Sequence, residues 1–126
     1  RGLDGEPYYA YVDDLYDRVC RTFLEFGLPV DGQRIALHRG PFERTLGSAR
    51  QRPVALAHID CGWYDLVSCC LKALGPRLAP GGWIVLDDYN DYGGCRKALE
   101  SFLIRHPEER LLCEAPSAIV ERLPDD

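Results

Sequence analysis

The sequence predicts an α/β fold: a mostly parallel sheet flanked by helices and closed by antiparallel strands. Three features predict it. Strand-like apolar runs alternate with stretches of helical spacing along most of the chain. Two of those runs, "PVALAHID" and "WIVLDD", stop abruptly on aspartate. Near the C-terminus "RLLCEA" and "AIVERL" are separated by only Pro116 and Ser117, which reads as an antiparallel pair.

The elements follow in order. From Pro7 to Phe26 the residues Tyr8, Val12, Leu15, Tyr16, Val19, Phe23 and Phe26 recur at helical spacing, and Gly27 with Pro29 supplies a stop. Asp13, Asp14 and Asp17 lie mostly off that stripe, on a solvated face. "RIALHRG", Arg34 to Gly40, reads as a short strand and "SARQRP" as a loop. "PVALAHID" is apolar almost throughout, which predicts a strand buried on both faces. Tyr64 to Leu78 is helical, with Val67, Cys70, Leu71, Leu74 and Leu78 on one side. Gly75-Pro76 predicts a kink or early end to it. "APGG" turns the chain into the strand "WIVLDD". Gly94 to His106 is again helical, through Cys95, Ala98, Leu99, Phe102 and Leu103, until Pro107 breaks it.

A chain of 126 residues suits one domain, with 46% hydrophobic residues for a core. A net charge of -5 argues against non-specific nucleic-acid binding. No run is long enough to span a membrane and no signal peptide opens the chain, so the expected location is cytoplasmic. The six cysteines form no C-x-x-C pair and read as free, mostly packing thiols. The chain begins with Arg and contains no Met, which suggests a piece of something longer. The tyrosines Tyr8, Tyr9 and Tyr11 and Trp63 leave a homo-oligomer open.

In open α/β sheets, ligands bind beyond the carboxyl ends of the strands. Asp60 ends one strand and Asp87-Asp88 the next, so a right-handed crossover brings three carboxylates to one place. Such a cluster repels itself, and short oxygen ligands suit Mg²⁺. The ion would hold either a hydroxyl or a phosphate. For a phosphohydrolase the cations on offer are Arg39 and Arg96.

"LHRGPFERTL", "AHIDCGWYDLV" and "LGPRLAPGGWIVLDDYNDYGGCRKALESF" resemble the macrocin O-methyltransferase (TylF-type) family, over Leu37 to Phe102. The resemblance implies a Rossmann-like class I methyltransferase sheet, truncated at its N-terminus, with residues 1–126 forming the C-terminal part of one domain. It implies S-adenosylmethionine and Mg²⁺ as cofactors and a small-molecule hydroxyl acceptor, often on a sugar of a natural product. On the matching positions Asp60, Asp87 and Asp88 carry the metal, Tyr89 completes D-D-Y, and Gly40 and Phe42 match a G-x-F near the cofactor's adenine. The sequence departs from the family at Gly62, where a second acid, a candidate base, is usual. His58, two residues before Asp60, is the candidate catalytic partner of Asp60, as base or metal-site support. A packed, buried histidine is the plainer reading. No glycine-rich cofactor turn precedes "RIALHRG". The alternative is a non-catalytic remnant serving as an interaction module.

Overall fold

The computed structural model describes residues 14–48, 52–91 and 93–125, in two compact units, Arg1–Gly40 and Pro41–Asp126. In the first, helix α1 covers Leu15–Glu25. The remainder of the predicted helix, and Tyr8, Tyr9 and Tyr11, lie outside the described residues. The predicted stop is a Schellman cap. Gly27 takes φ 72°, its N–H donates to the Leu24 carbonyl at 2.9 Å, and that of Leu28 to the Phe23 carbonyl at 2.9 Å.

The predicted strand Arg34–Gly40 does not form. One oxygen of Asp31 accepts the N–H groups of Gln33, Arg34 and Ile35 at 2.8, 2.9 and 3.3 Å, holding its carboxyl below the ordinary range. Local capture of the backbone by a short acidic side chain has displaced a ladder here.

The second unit contains α2 (Phe42–Ser48), β1 (Val54–Ile59), α3 (Tyr64–Leu74), β2 (Leu78–Leu86), α4 (Gly93–Arg105), β3 (Glu109–Cys113) and β4 (Ala118–Arg122). The sheet order is β1-β2-β4-β3, with β1 parallel to β2 and the other pairs antiparallel. The α/β sheet and its antiparallel closing strands are as predicted, while among the described residues one of the three strand pairs is parallel. Gly75-Pro76 ends α3 as expected, in a single 3₁₀ turn, Gly75–Arg77. "APGG" belongs to β2 and is no separate turn. The ladder to β1 absorbs it as an irregularity between the Val54↔Leu78 and Leu56↔Trp83 pairs, with Gly81 at φ 79°.

The register places Ala57, Ile59, Ile84, Leu86, Ala118 and Val120 on one face. Val67, Cys70 and Leu71 of α3 and Cys95, Ala98, Leu99 and Phe102 of α4 complete the core against that face. The opposite face carries Leu56, 63% exposed, and Trp83, whose indole N–H donates to Glu121 Oε2 at 3.1 Å. Burial of β1 on both faces is therefore not observed: only Ile59 is fully buried. β1 is the outer strand of the described sheet, and α3 and α4 cover one side of it. All six cysteines are free thiols. No helix among the described residues is long and apolar enough to cross a membrane.

Candidate active site

Two parallel strands of the second unit end side by side, and an acid follows each. The Asp87 N–H donates to the Ile59 carbonyl at 3.0 Å, one step beyond the Ile59↔Leu86 pair. This extension fixes Asp60 beside Asp87. The crossover through α3 is the βαβ unit that a parallel pair requires. Asp60, Asp87 and Asp88 each bring a carboxylate oxygen within 4.8 Å of the other two. The convergence expected from the sequence is present.

Three acids so close oppose one another's ionisation. Asp88, half-buried, shows it: burial pushes its carboxyl up, and the charges of Asp60 and Asp87 add to the effect. Burial likewise raises the neighbouring thiols, Cys95 to about 11 and Cys70 to about 12, which makes them packing groups and poor nucleophiles at neutral pH. Oxygen donors set this closely, without thiolate, fit a hard divalent cation of the Mg²⁺ class.

His58 is no buried packing residue. Its side chain is 54% exposed and its Nε2 stands 3.4 Å from Asp87 Oδ1, so it contacts the acid cluster from the open face of the sheet. Gly62, Trp63, Tyr64, Asp88 and Gly94 line a cleft of about 530 Å³ beside the acids, with Trp63 78% exposed on its wall. Gly94 is required there: a Cβ would lie 3.0 Å from the Tyr64 backbone nitrogen and 3.3 Å from the Gly62 carbonyl. The glycine lets the first turn of α4 close against the loop after Asp60.

Phe42, the first residue of α2, lines a different cleft of about 700 Å³ between α2, α3 and α4, whose walls do not include the three acids. Gly40 closes the first unit, with φ 132°. The structure thus brings His58, Asp60, Asp87 and Asp88 together and does not bring Phe42 to them.

Sequence reasoning missed what anchors the Asp87–Asp91 loop. Tyr89 is buried, and its hydroxyl donates to Glu114 Oε1 at 3.1 Å. Arg96 lies over the Tyr89 ring at 4.4 Å and donates to Asn90 Oδ1 at 3.0 Å, and it pairs with Glu114 at 3.6 Å. The Asn90 amide donates to the Glu114 carbonyl at 2.6 Å. Arg96 is therefore bound up in holding the loop to the β3–β4 connection. Arg39 belongs to the first unit, over the ring of Tyr16 at 5.7 Å.

A model of the macrocin-O-methyltransferase (TylF) family matches residues 4–111. The chain is 32% identical over 90 residues to a Streptomyces olivaceus 8-demethyl-8-(2,3-dimethoxy-alpha-L-rhamnosyl)-tetracenomycin-C 4'-O-methyltransferase, covering 71% of this chain and 33% of that protein. It is 33% identical over 88 residues to the mycinamicin III 3''-O-methyltransferase of Micromonospora griseorubida, covering 70% and 34%. Among solved structures, the O-methyltransferase NovP superposes with a TM-score of 0.75 at 20% identity, over 98% of this chain and 55% of that one. CalS11, a TDP-rhamnose 3'-O-methyltransferase, does so with 0.58 at 26% identity, over 98% and 56%. The chain spans about a third of the length of these curated relatives and a little over half of these solved structures.

Proposed function

The chain belongs to the macrocin-O-methyltransferase (TylF) family, and from that premise we propose that it forms the acid-bearing part of a class I, S-adenosylmethionine-dependent O-methyltransferase. In this reading it is the C-terminal portion of the methyltransferase domain, and the acceptor is a hydroxyl of a sugar on a natural product. The names of the relatives support that acceptor class: one acts on a rhamnosyl 4' position, another is a TDP-rhamnose 3' enzyme. The observation that carries the proposal is the convergence of Asp60, Asp87 and Asp88 beyond the ends of β1 and β2.

Asp60, Asp87 and Asp88 would hold Mg²⁺, which when bound supplies positive charge to an acceptor oxygen. S-adenosylmethionine, when bound, would supply an electrophilic methyl group to the acceptor oxygen, its methyl–sulfur bond being given up to leave a neutral thioether. His58 would take the acceptor's proton at Nδ1, while its Nε2, facing Asp87 Oδ1 at 3.4 Å, is oriented by that carboxylate, which would stabilise the imidazolium. His58 thereby takes the part left vacant by Gly62. Gly40 and Phe42 are proposed to meet the adenine side of the cofactor. The half-exposed Phe42 ring, 38% exposed, is an apolar surface suited to a flat heterocycle.

The test supplies the chain with methyl-labelled S-adenosylmethionine and a rhamnosyl acceptor, with Mg²⁺ or with a chelator. Acceptor-dependent label transfer that the chelator abolishes is expected. Failure to bind Mg²⁺ in a calorimetric titration would overturn the enzyme reading in favour of a non-catalytic module. His58→Gln should leave Mg²⁺ affinity within about threefold while lowering transfer on the order of a hundredfold, the effect of removing a general base. Equal losses in binding and transfer would make His58 a support of the metal site alone.

A further inference from the structure

We propose that the turn joining α4 to β3 carries a second divalent-cation site, built by His106, Glu108 and Glu109, which takes a borderline cation of the Zn²⁺ type. The chain there reads His106-Pro107-Glu108-Glu109. The Glu109 N–H donates to the His106 carbonyl at 3.0 Å, closing a four-residue turn with Pro107 in its second position, where a fixed φ is favourable. Closure brings the imidazole and two carboxylates together: one ligand atom from each lies within 4.8 Å of the others.

Glu109 makes this more than an acidic surface turn. It is 4% exposed, and neither of its carboxylate oxygens has a hydrogen-bond partner. Oε2 faces Gly75, 3.5 Å from where a Cβ would stand, so the 3₁₀ turn closes over it. A buried carboxylate without partners is costly unless it is protonated, paired or bound to a cation. Burial, followed by the charge of Glu108, pushes its carboxyl up to about 7. The cationic side chain opposite it in the ladder is Arg122, whose charge favours the carboxylate but whose buried Nε makes no hydrogen bond to it, and whose two Nη groups are engaged elsewhere. Arg122 Nη1 donates to the Leu78 carbonyl at 2.9 Å and Nη2 pairs with Asp125 at 3.6 Å.

The other two ligands are oriented and reachable. The His106 ring stacks on Phe102 with centroids 4.2 Å apart, and its Nδ1 lies 2.9 Å from Glu108 Oε1. Their side chains are 27% and 43% exposed, which leaves an entry path for an ion. One imidazole and two carboxylates neutralise a divalent charge, and the mixed nitrogen and oxygen set suits Zn²⁺ better than Mg²⁺. The location separates this site from the strand-end acids. Arg122, beside Glu109 in the sheet, reaches Leu78 at the start of β2, whereas Asp87 and Asp88 follow its other end. An ion there would clamp the end of α4 to the start of β3.

The test titrates tag-free chain with Zn²⁺ alone, and separately with Co²⁺ as a visible probe, in a background of Asp60→Asn, Asp87→Asn and Asp88→Asn. The expected result is one Zn²⁺ per chain, undiminished by millimolar Mg²⁺, and a Co²⁺ ligand-field band without sulfur charge transfer. His106→Gln and Glu109→Gln should each weaken binding on the order of tenfold or more. Glu109→Gln removes a buried charge, so folding survives, and an unchanged circular dichroism spectrum verifies it. No bound Zn²⁺, undiminished binding in both variants, or a thiolate charge-transfer band overturns the proposal.

Discussion

Asp88→Asn is expected to reduce Mg²⁺ affinity by at least on the order of a hundredfold, since partners that only touch a ligand are already worth ten- to a hundredfold. Methyl transfer should fall by about 10³ or more, the scale of losing a cation worth several kcal/mol. Asn keeps the shape and removes the charge, so the fold should persist. The metal-free protein gives a second readout, because Asp88 is held above its ordinary value of 3.8, by burial first and then by Asp60 and Asp87. Between that ordinary value and the raised one, the folded chain keeps a proton that the unfolded chain has lost. The metal-free wild type therefore gains stability as pH falls through this window and loses it as pH rises. Asp88→Asn should remove that slope and melt higher than chelated wild type at neutral pH. Mg²⁺ should raise the melting temperature of wild type only. Equal Mg²⁺ shifts in the two proteins, read by differential scanning calorimetry, would mean that the ion binds elsewhere.

Leu86→Ala is the substitution expected to cost most in stability, about 2–5 kcal/mol. Leu86 is the last residue of β2 and fully buried, paired with Ile59 on one side and Ala118 on the other, against the core formed with α3 and α4. Truncation leaves a cavity in the middle of the sheet that none of these elements can readily collapse to fill. Domains of this size are stable by roughly 5–15 kcal/mol, so a large fraction would go. Asp87 and Asp88 follow directly, and Mg²⁺ affinity should fall with it. Leu56→Ala, on the open face, should stay within about 0.5 kcal/mol of wild type. Urea midpoints at constant slope measure both. A cost for Leu86→Ala below about 1 kcal/mol would contradict the packing described for the strand end.

The acids were legible in the sequence because a buried strand cannot carry charge along its length, so an apolar run that breaks at Asp marks its end. Helical spacing likewise located α3 and α4, whose buried positions are the periodic ones. Arg34–Gly40 was misread because alternation there is outweighed by a side chain three residues upstream of Arg34, Asp31, taking the N–H groups a ladder would need. The one-sided burial of β1 was hidden because an edge strand and a central strand can share the same apolar run. The tether of Tyr89, Asn90 and Arg96 to Glu114 spans contacts up to 26 residues apart in sequence, counting the Asn90 amide's second acceptor at Pro116. No local pattern encodes it. Glu109 did leave a trace: in "ERLLC" it alternates in phase with Leu111, which puts a charge on the face that carries the core.

All three strand-end acids lie on one uninterrupted βαβ segment, from Val54 of β1 to Asp88 after β2. In heredity this makes them a cassette. An exchange of gene segments with boundaries outside that stretch hands the whole cluster to a new neighbour. At the join the segment must still match β4, which pairs with β2, α4, which shares the core, and the Glu114 contact that holds Tyr89.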